Sequence, residues 1–404
     1  MAANASDPDV VIVGGAVAGS ALANALGCAG VRTLLIEKVS REVFSTRGDL
    51  LHPPTLGILD RWGVLATLRE DGALPIQELA VTHARRGLIA RFDIPGQTEG
   101  PAGRTLAVPH DRIEAVLYAC ACRWPAVQSL RGSVSGLVRD DSSRVVGVRL
   151  KSRGSDGREV IRARLVVGCD GSQSLVRRTL GIVTEQHPYD HEQVIVGGFG
   201  ECELPAALHW YIDEAGALSV INRPRGGFRI LLTFQLGQRG DLLKQPDPAL
   251  HDYVVSRFPQ LEPLRFGKAD AYVYRLARHV APCFYESGAA ILGDAAHATH
   301  PAGATGMSLA IAGAARLAEL VAPALLAGAS TARLDAALAA YDAERRPAAE
   351  IAVAANHAQA LRLWQSDVFR DPDAYAQVVN PAADWGAGGA GWGQNPARLS
   401  STAS

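Results

Sequence analysis

Glycines clustered after a short apolar segment are the first residues in this 404-residue chain whose types and spacing point to chemistry. Gly14, Gly15 and Gly19 follow the apolar run Val10–Val13, and Glu37 comes later in the chain. Such glycines let backbone N–H groups approach a pyrophosphate, and a carboxylate about 20 residues further on accepts the ribose hydroxyls. The pattern predicts a dinucleotide site; the alternative is a buried strand–helix unit that holds no ligand.

A strand, a helix and a second strand must position this turn. The β-branched run Val10–Val13 is typical of a strand buried on both faces, the Ala- and Leu-rich stretch Ser20–Gly30 predicts a helix, and Thr33–Ile36 predicts the next strand. Ala16 stands where the Gly-x-Gly-x-x-Gly pattern has its middle glycine. The turn accommodates this methyl group if the residue needs no positive φ.

Charge and cysteine content exclude several classes of function. A net charge of −1, with 20% charged residues and no dense basic block, gives no electrostatic basis for binding nucleic acid. The six cysteines are scattered, and the close pair Cys120 and Cys122 lacks the Cys-x-x-Cys spacing of redox and zinc sites. Reduced thiols in a cytoplasmic protein, without a metal site, are the simplest interpretation.

The longest apolar stretch, 307–327, approaches the length of a membrane span. Arg316, Glu319 and Pro323 interrupt it, which favours a buried helix. The start, Met1–Pro8, lacks the basic and apolar segments of a signal peptide. We therefore expect a cytoplasmic protein without a membrane span, either a monomer or a homodimer.

Most of the remaining chain divides into short strands and longer helices. The stretch 193–274 contains several β-rich runs separated by glycine-containing turns, which predicts an antiparallel sheet. Predicted strands also lie at Ile76–Val81, Ile89–Phe92, Val145–Leu150, Val160–Val167, Leu208–Ile212, Leu218–Asn222, Phe228–Phe234 and Ala289–Leu292. Predicted helices lie at Thr55–Leu65, Ile113–Cys122, Met307–Val321, Ala332–Arg346 and Ala348–Trp364, with Pro323 and Pro347 ending or bending their helices.

Two further glycine–aspartate motifs complete a recognisable set. Asp170 and Gly171 follow one predicted strand, and Gly293 and Asp294 follow another. With the first glycine turn, these motifs resemble the three FAD motifs of the class A flavoprotein monooxygenases, the para-hydroxybenzoate hydroxylase-like family. The resemblance covers most of residues 9–350.

The resemblance implies an α/β fold in which a Rossmann-like FAD-binding domain carries an inserted antiparallel β-sheet substrate domain and C-terminal helices. The expected divisions are 1–72, 104–182 and 276–347 for FAD binding, 73–103 and 183–275 for the substrate sheet, 348–381 for a helical segment, and 382–404 for a Gly-rich tail.

Particular positions take roles from the family. Asp294 matches the acidic residue at the FAD ribityl chain, and Arg47 matches a cation near the pyrophosphate. His110 occupies the position from which the family reaches FAD with Arg or Gln, with Arg112 as the nearby alternative. The FAD-binding residues implied in this way are Gly14, Gly15, Ala16, Val17, Ala18, Gly19, Glu37, Lys38, Arg47, His110, Asp170, Gly171, Asp294, Gly306, Met307 and Ser308.

Two positions depart from the family pattern. Ser308 stands where Asn is common, and Gly313 stands where Asp is common. Backbone contacts to the flavin tolerate both changes, whereas a side-chain amide contact is lost.

The activity that the resemblance implies is insertion of one oxygen atom from O₂ into an aromatic, phenolic or polyketide-like molecule. NADH or NADPH would reduce FAD, and O₂ would add to give a C4a-hydroperoxyflavin that attacks an electron-rich carbon. The chain has no second glycine motif for the nicotinamide nucleotide, in agreement with the family. Alternatives that keep the same motifs are an alkene epoxidase, suggested by Gly48–Pro54, and a FAD reductase or dehydrogenase that does not use O₂.

Three residues are candidate catalytic groups. A base near a phenol would make its ring a better nucleophile, and His52 lies on a segment expected near the flavin. A solvated histidine at a helix start is equally consistent with its position. His209 and Tyr211 share one face of a predicted cavity strand, where they contact substrate or pack within the sheet. Arg223 and Arg225 are either substrate contacts or solvated turn residues.

Overall fold

The computed structural model describes residues 7–38, 48–94, 103–151, 159–200, 207–246, 248–267 and 271–364. Its strands are β1 (Val10–Val13), β2 (Thr33–Glu37), β3 (Leu50–Leu51), β4 (Leu74–Pro75), β5 (Glu78–His83), β6 (Gly87–Asp93), β7 (Leu106–Ala107), β8 (Val127–Arg131), β9 (Val134–Arg139), β10 (Val145–Leu150), β11 (Val160–Arg162), β12 (Leu165–Gly168), β13 (His187–Phe199), β14 (Ala207–Asp213), β15 (Gly216–Asn222), β16 (Gly227–Gln235), β17 (Ala271–Val280), β18 (Tyr285–Glu286), β19 (Ala289–Ile291) and β20 (His297–Ala298). Its helices are α1 (Val17–Cys28), α2 (Pro53–Arg61), α3 (Val64–Glu70), α4 (His110–Ala121), α5 (Leu175–Thr179), α6 (Ala249–Arg257), α7 (Gly306–Leu326) and α8 (Thr331–Trp364).

The first sheet places the three glycine-containing motifs together. Its strand order is β18-β19-β12-β1-β2-β8, and all neighbours are parallel except β18 and β19. Because β1, β12 and β19 are adjacent and parallel, the segments that follow them emerge at one edge of the sheet. The predicted dinucleotide turn, the Asp170 loop and the Asp294 loop follow these three strands.

The second large sheet has eight strands in the order β20-β17-β13-β16-β15-β14-β5-β6. Neighbouring strands are antiparallel except β14 and β5, which are parallel. Two three-stranded sheets, β11-β10-β9 and β3-β7-β4, complete the strands. The predicted α/β class, with an added antiparallel sheet and C-terminal helices, is confirmed.

Several predicted elements differ in extent. The predicted strand 160–167 divides into β11 and β12, which belong to different sheets. The predicted helix 55–65 divides into α2 and α3 at Gly63, where φ is 71°. Helix α6 lies within the stretch predicted as β-rich.

The two helices predicted at Ala332–Arg346 and Ala348–Trp364 form one helix, because α8 runs through Pro347 from Thr331 to Trp364. Pro323 likewise lies inside α7. A proline removes one backbone donor, and tertiary packing compensates for this loss. Helix α8 has buried side chains both before and after Pro347, namely Leu334, Leu338, Ala349 and Leu363.

Helix α7 is the one described helix long and apolar enough to cross a membrane, yet 67% of its apolar window is buried within the fold. It packs between α1 and α8 in the main hydrophobic core. The sequence predicted a buried helix for the apolar stretch 307–327, and α7 is mostly buried.

Candidate functional site

The first glycine turn joins β1 to α1 with no room for larger residues. A Cβ atom at Gly19 would lie 1.8 Å from the Gly14 carbonyl oxygen, and one at Gly14 would lie 2.4 Å from the Cys169 carbonyl oxygen. The Gly15 N–H donates a hydrogen bond of 2.6 Å to Glu37 Oε2. The structure therefore brings Glu37, at the end of β2, directly against the turn.

Among the described residues, no side chain caps the start of helix α1. Ala16 provides no capping hydrogen bond, and the first turn, which contains Val17, Ala18 and Gly19, has no acidic residue. Free amide donors and the positive end of the helix dipole favour an anion at this position. Lys38 follows Glu37 as an exposed cation.

The Asp170 loop lies beside this turn, and its carboxylate caps α5. Asp170 Oδ2 accepts hydrogen bonds from the N–H groups of Leu175 (2.7 Å) and Val176 (3.1 Å), and its other oxygen accepts from the Ser174 hydroxyl. Gly171 follows with φ of 81°. The carboxylate thus fixes the loop locally, while its backbone lies against Gly14.

Arg177 joins the second motif to the third. Its side chain is buried and donates hydrogen bonds to the carbonyl oxygens of Ala295 (2.7 Å) and Ser172 (2.6 Å). Burial lowers its pKa from the usual value. The sequence indicated Arg177 as part of a motif but gave no sign of this bridging contact.

The third motif forms a loop of two short turns that leads into α7. Asp294 is partly buried in the turn Gly293–Ala295, and its carbonyl oxygen is 3.1 Å from His279 Nε2. A second turn, Pro301–Gly303, follows, and Ala304 has φ of 51°. We call residues 301–305 the flavin loop, because they lead into 304–308, the segment that the family resemblance implies for contact with the flavin.

The start of α7 resembles the start of α1 in having no side-chain cap among the described residues. Gly306, Met307 and Ser308 form its first turn, which has neither a side-chain cap nor an acidic residue. Ser308 Oγ is buried and meets no hydrogen-bond partner within the part of the chain that the structure describes. The turn therefore fits a ligand that accepts hydrogen bonds, such as the flavin or its ribityl chain.

His52 supports the flavin loop. Its Nε2 is 3.0 Å from the Gly303 carbonyl oxygen, and its Nδ1 is 3.3 Å from Thr105 Oγ1. Since a carbonyl only accepts, the ring proton lies on Nε2 and the hydroxyl donates to Nδ1. Burial lowers the pKa of this imidazole. His52 is therefore buried, with both ring nitrogens in hydrogen bonds, and is not the solvated histidine of the alternative interpretation.

Asn356 of α8 also contacts the flavin loop. Its Nδ2 donates to Thr305 Oγ1 at 2.5 Å, and the residue is buried. Nothing in the sequence near Asn356 indicated this role.

His110 begins α4 and contacts the segment before β3. Its Nδ1 is 2.9 Å from the Gly48 carbonyl oxygen, its Nε2 is 3.2 Å from Glu114 Oε1, and its N–H donates to Asp49 Oδ1. The alternative, Arg112, pairs with Asp71 and lines a cavity of about 270 Å³. Arg47 lies outside the described residues.

The structure does not bring His209 and Tyr211 to the flavin loop. The two rings stack on one face of β14, where Tyr211 packs against Phe258 beside α6. Trp210 faces the opposite way and packs in the cluster that contains Ala302. This is because neighbouring strand residues alternate between faces, and the flavin loop covers the Trp210 face.

His297 and His300, which are three residues apart, have different surroundings. His297 lies beside Phe284, with ring centroids 5.9 Å apart, whereas His300 contacts His191. No group of three or more metal-ligating side chains occurs among the described residues.

The uncapped helix starts, the Glu37 contact and the orphan Ser308 hydroxyl fit FAD, and the fold is that of a flavin-dependent oxygenase. The chain belongs to the FAD binding domain family, whose profile matches residues 7–356. The predicted class A flavoprotein monooxygenase assignment is confirmed.

Proteins of similar sequence include a named monooxygenase and a named hydroxylase. Para-nitrophenol 4-monooxygenase of Pseudomonas sp. (strain WBC-3) is 28% identical over 348 residues, which cover 83% of this chain and 82% of that protein. The ubiquinone hydroxylase UbiL of Rhodospirillum rubrum is 27% identical and covers 89% of this chain and 82% of its own length.

Solved structures agree over nearly the whole fold. PqsL, a probable FAD-dependent monooxygenase from Pseudomonas aeruginosa, has a TM-score of 0.77 and 26% identity, covering 92% of this chain and 99% of its own. The p-nitrophenol 4-monooxygenase PnpA of Pseudomonas putida DLL-E4 has a TM-score of 0.76 and 25% identity, covering 96% and 94%.

Proposed function

We propose that this protein uses NADH or NADPH and O₂ to insert one oxygen atom into an aromatic small molecule, phenolic or polyketide-like. The observation that carries the proposal is the convergence of three FAD motifs at one edge of the first sheet. Relatives named as acting on para-nitrophenol and on 6-methylpretetramide support this substrate class.

The chain's own groups would bind and orient the cofactor. The glycine turn and the start of α1 would hold the pyrophosphate, Glu37 would accept the ribose hydroxyls, and the flavin loop with the start of α7 would hold the ring. When bound, FAD supplies the electron transfer and the activation of O₂.

The Trp210 face of the second sheet would form one wall of the substrate site. Its buried apolar side chains pack against Ala302, and they include Leu79, Val81, Tyr189, Ile212 and Leu276. Apolar walls exclude water from reactive oxygen species and accept a flat ring. Both His52 nitrogens are engaged, so we assign the wall an orienting role and name no base.

We further propose a cytoplasmic enzyme, monomeric or homodimeric, with the cofactor and substrate parts divided at the boundaries predicted from the sequence. The burial of α7 supports the absence of a membrane span. The two large sheets of the fold support two functional parts.

A screen with phenols and polyketides tests the proposal. NAD(P)H oxidation, O₂ uptake and product mass would be measured together, in air and under strict anaerobiosis. We expect a coupled mass gain of one oxygen atom that disappears without O₂. Anaerobic product formation would identify a reductase or dehydrogenase, and one oxygen atom added across an alkene would identify an epoxidase.

A further inference from the structure

Two histidines that the proposed chemistry does not use form a continuous hydrogen-bonded chain to the flavin loop. His191 Nδ1 is 2.9 Å from Asp190 Oδ1, and His191 Nε2 is 2.9 Å from His300 Nε2. His300 Nδ1 accepts a hydrogen bond of 3.0 Å from the Ala302 N–H. The chain therefore runs from an exposed carboxylate to the backbone of the loop.

The two ends of this chain fix every proton in it. The Ala302 N–H can only donate, so His300 Nδ1 is unprotonated and His300 carries its proton on Nε2. That proton is donated to His191 Nε2, and the His191 proton therefore lies on Nδ1, facing Asp190. One arrangement of two protons satisfies all three contacts.

A third proton has no place in this arrangement. On His191 Nε2 it would face the His300 N–H, and on His300 Nδ1 it would face the Ala302 N–H. Two donors would then oppose each other at about 3 Å. The first position would cost the contact between the two rings, and the second would cost the contact with the flavin loop.

The surroundings favour the neutral pair. His300 is fully buried and His191 is 4% exposed, and the rings of Tyr189 and Trp364 pack against His300. Burial, with repulsion from His191 and His357, holds the pKa of His300 well below its usual value.

The charged and titratable groups facing the pair come from three elements. Asp190 and Tyr189 lie on β13, Arg278 on β17 places its guanidinium 5.9 Å from the Tyr189 ring centroid, and His357 on α8 is 3.2 Å from the Tyr189 hydroxyl. The one carboxylate among them is Asp190, whose side chain is 85% exposed.

We propose that His191 and His300 are positioning residues that hold the flavin loop in its FAD-binding conformation, and that a proton on His300 Nδ1 releases the loop. This inference rests on the proposed function only in taking the loop as the flavin site. His52 contacts the Gly303 carbonyl oxygen, and His300 accepts a hydrogen bond from the neighbouring Ala302 N–H.

Two substitutions of His300 separate its contacts. In His300→Asn the amide oxygen replaces Nδ1 as acceptor for Ala302, but the side chain does not titrate and does not reach His191. In His300→Gln the amide reaches toward His191, but the Ala302 acceptor is lost. The exposed His187→Gln is the matched control on the same strand as His191.

The dissociation constant for FAD would be measured by flavin fluorescence from pH 5 to pH 8. We expect wild type and His187→Gln to bind FAD more weakly at the acid end, by up to about tenfold, the change equivalent to one hydrogen bond. His300→Asn should bind normally at pH 8 without the acid loss, and His300→Gln should bind about tenfold more weakly throughout. An unchanged acid loss in His300→Asn, or wild-type affinity in His300→Gln, would overturn the proposal.

Nitrogen-15 spectra of histidine-labelled wild-type protein without FAD provide a test that does not depend on the cofactor. We expect one buried ring protonated on Nε2 and one on Nδ1. Any other tautomer pair rejects the inference even if FAD binds, whereas failure of the wild type to bind FAD with the expected tautomers would reject the proposed function instead.

Discussion

Arg223 donates two hydrogen bonds to the fully buried carboxylate of Asp49. The Nε–Oδ2 distance is 2.7 Å and the Nη2–Oδ1 distance is 3.0 Å. Asp49 also accepts from the His110 N–H and lies 3.2 Å from Arg229 Nε. The pair connects the segment before β3 with the turn after β15. Arg223 is thus not the solvated turn residue considered from the sequence.

Replacing Asp49 should destabilise the protein strongly. Asp49→Ala leaves two guanidinium groups without their buried partner, and we expect a loss of about 3–5 kcal/mol in the free energy of unfolding. Burial already lowers the pKa of Arg229 to about 10. Urea denaturation measures the change.

The control for Asp49→Ala is Glu214→Gln, which breaks an exposed 3.4 Å pair with Arg85. It should cost less than about 1 kcal/mol. Equal effects of the two substitutions would contradict a structural role for the buried cluster.

Glu37→Gln should weaken FAD binding. The substitution keeps the side-chain shape but removes the negative charge of the carboxylate. This carboxylate accepts a hydrogen bond from the Gly15 N–H and would accept others from the ribose hydroxyls. The dissociation constant for FAD should therefore rise about tenfold. Isothermal titration with FAD measures it. Glu185→Gln, at an exposed side chain, should leave the constant unchanged, and a similar rise there would argue for a general charge effect.

Gly19→Ala should abolish FAD binding or folding. Its methyl group would lie 1.8 Å from the Gly14 carbonyl oxygen, so the turn must open. Gly57→Ala in α2 meets nothing within 4 Å and should stabilise the protein by about 0.5–1 kcal/mol. Thermal unfolding with and without FAD compares them, and normal FAD binding by Gly19→Ala would refute the tight turn.

Acid should destabilise the fold through His297. Burial lowers the pKa of His297 to about 4. The unfolded chain, with a pKa of about 6.5, binds this proton first, so stability falls as the pH drops from about 6.5 to 4, by up to about 3 kcal/mol. His297→Asn should flatten this part of a stability–pH curve measured by denaturation, whereas His187→Asn should not. An unchanged slope in His297→Asn would assign the acid loss to other groups.

Local patterns and motifs were sufficient for the parts of the site that are close in sequence. Gly14, Gly19 and the start of α1 follow from residue spacing, because one turn must satisfy its own sterics and backbone donors. Asp170 was found by the same means, although its carboxylate caps α5.

Contacts between distant segments were beyond a single sequence. His191 and His300 are 109 residues apart, and nothing local predicts that their rings meet. The choice between the faces of β14 depends on which side the flavin loop covers, so His209 and Tyr211 were preferred over Trp210. Two helices were predicted around Pro347, whereas packing along α8 outweighs the local cost of the proline.

The contact from α8 to the flavin loop also determines when that loop can be completed during synthesis. Asn356 follows Thr305 by 51 residues, which takes several seconds at about 5–20 residues per second. The nascent chain therefore carries all three FAD motifs before it has the side chain that closes the loop. A chain that stops before Asn356 would keep every motif and lack that closing contact.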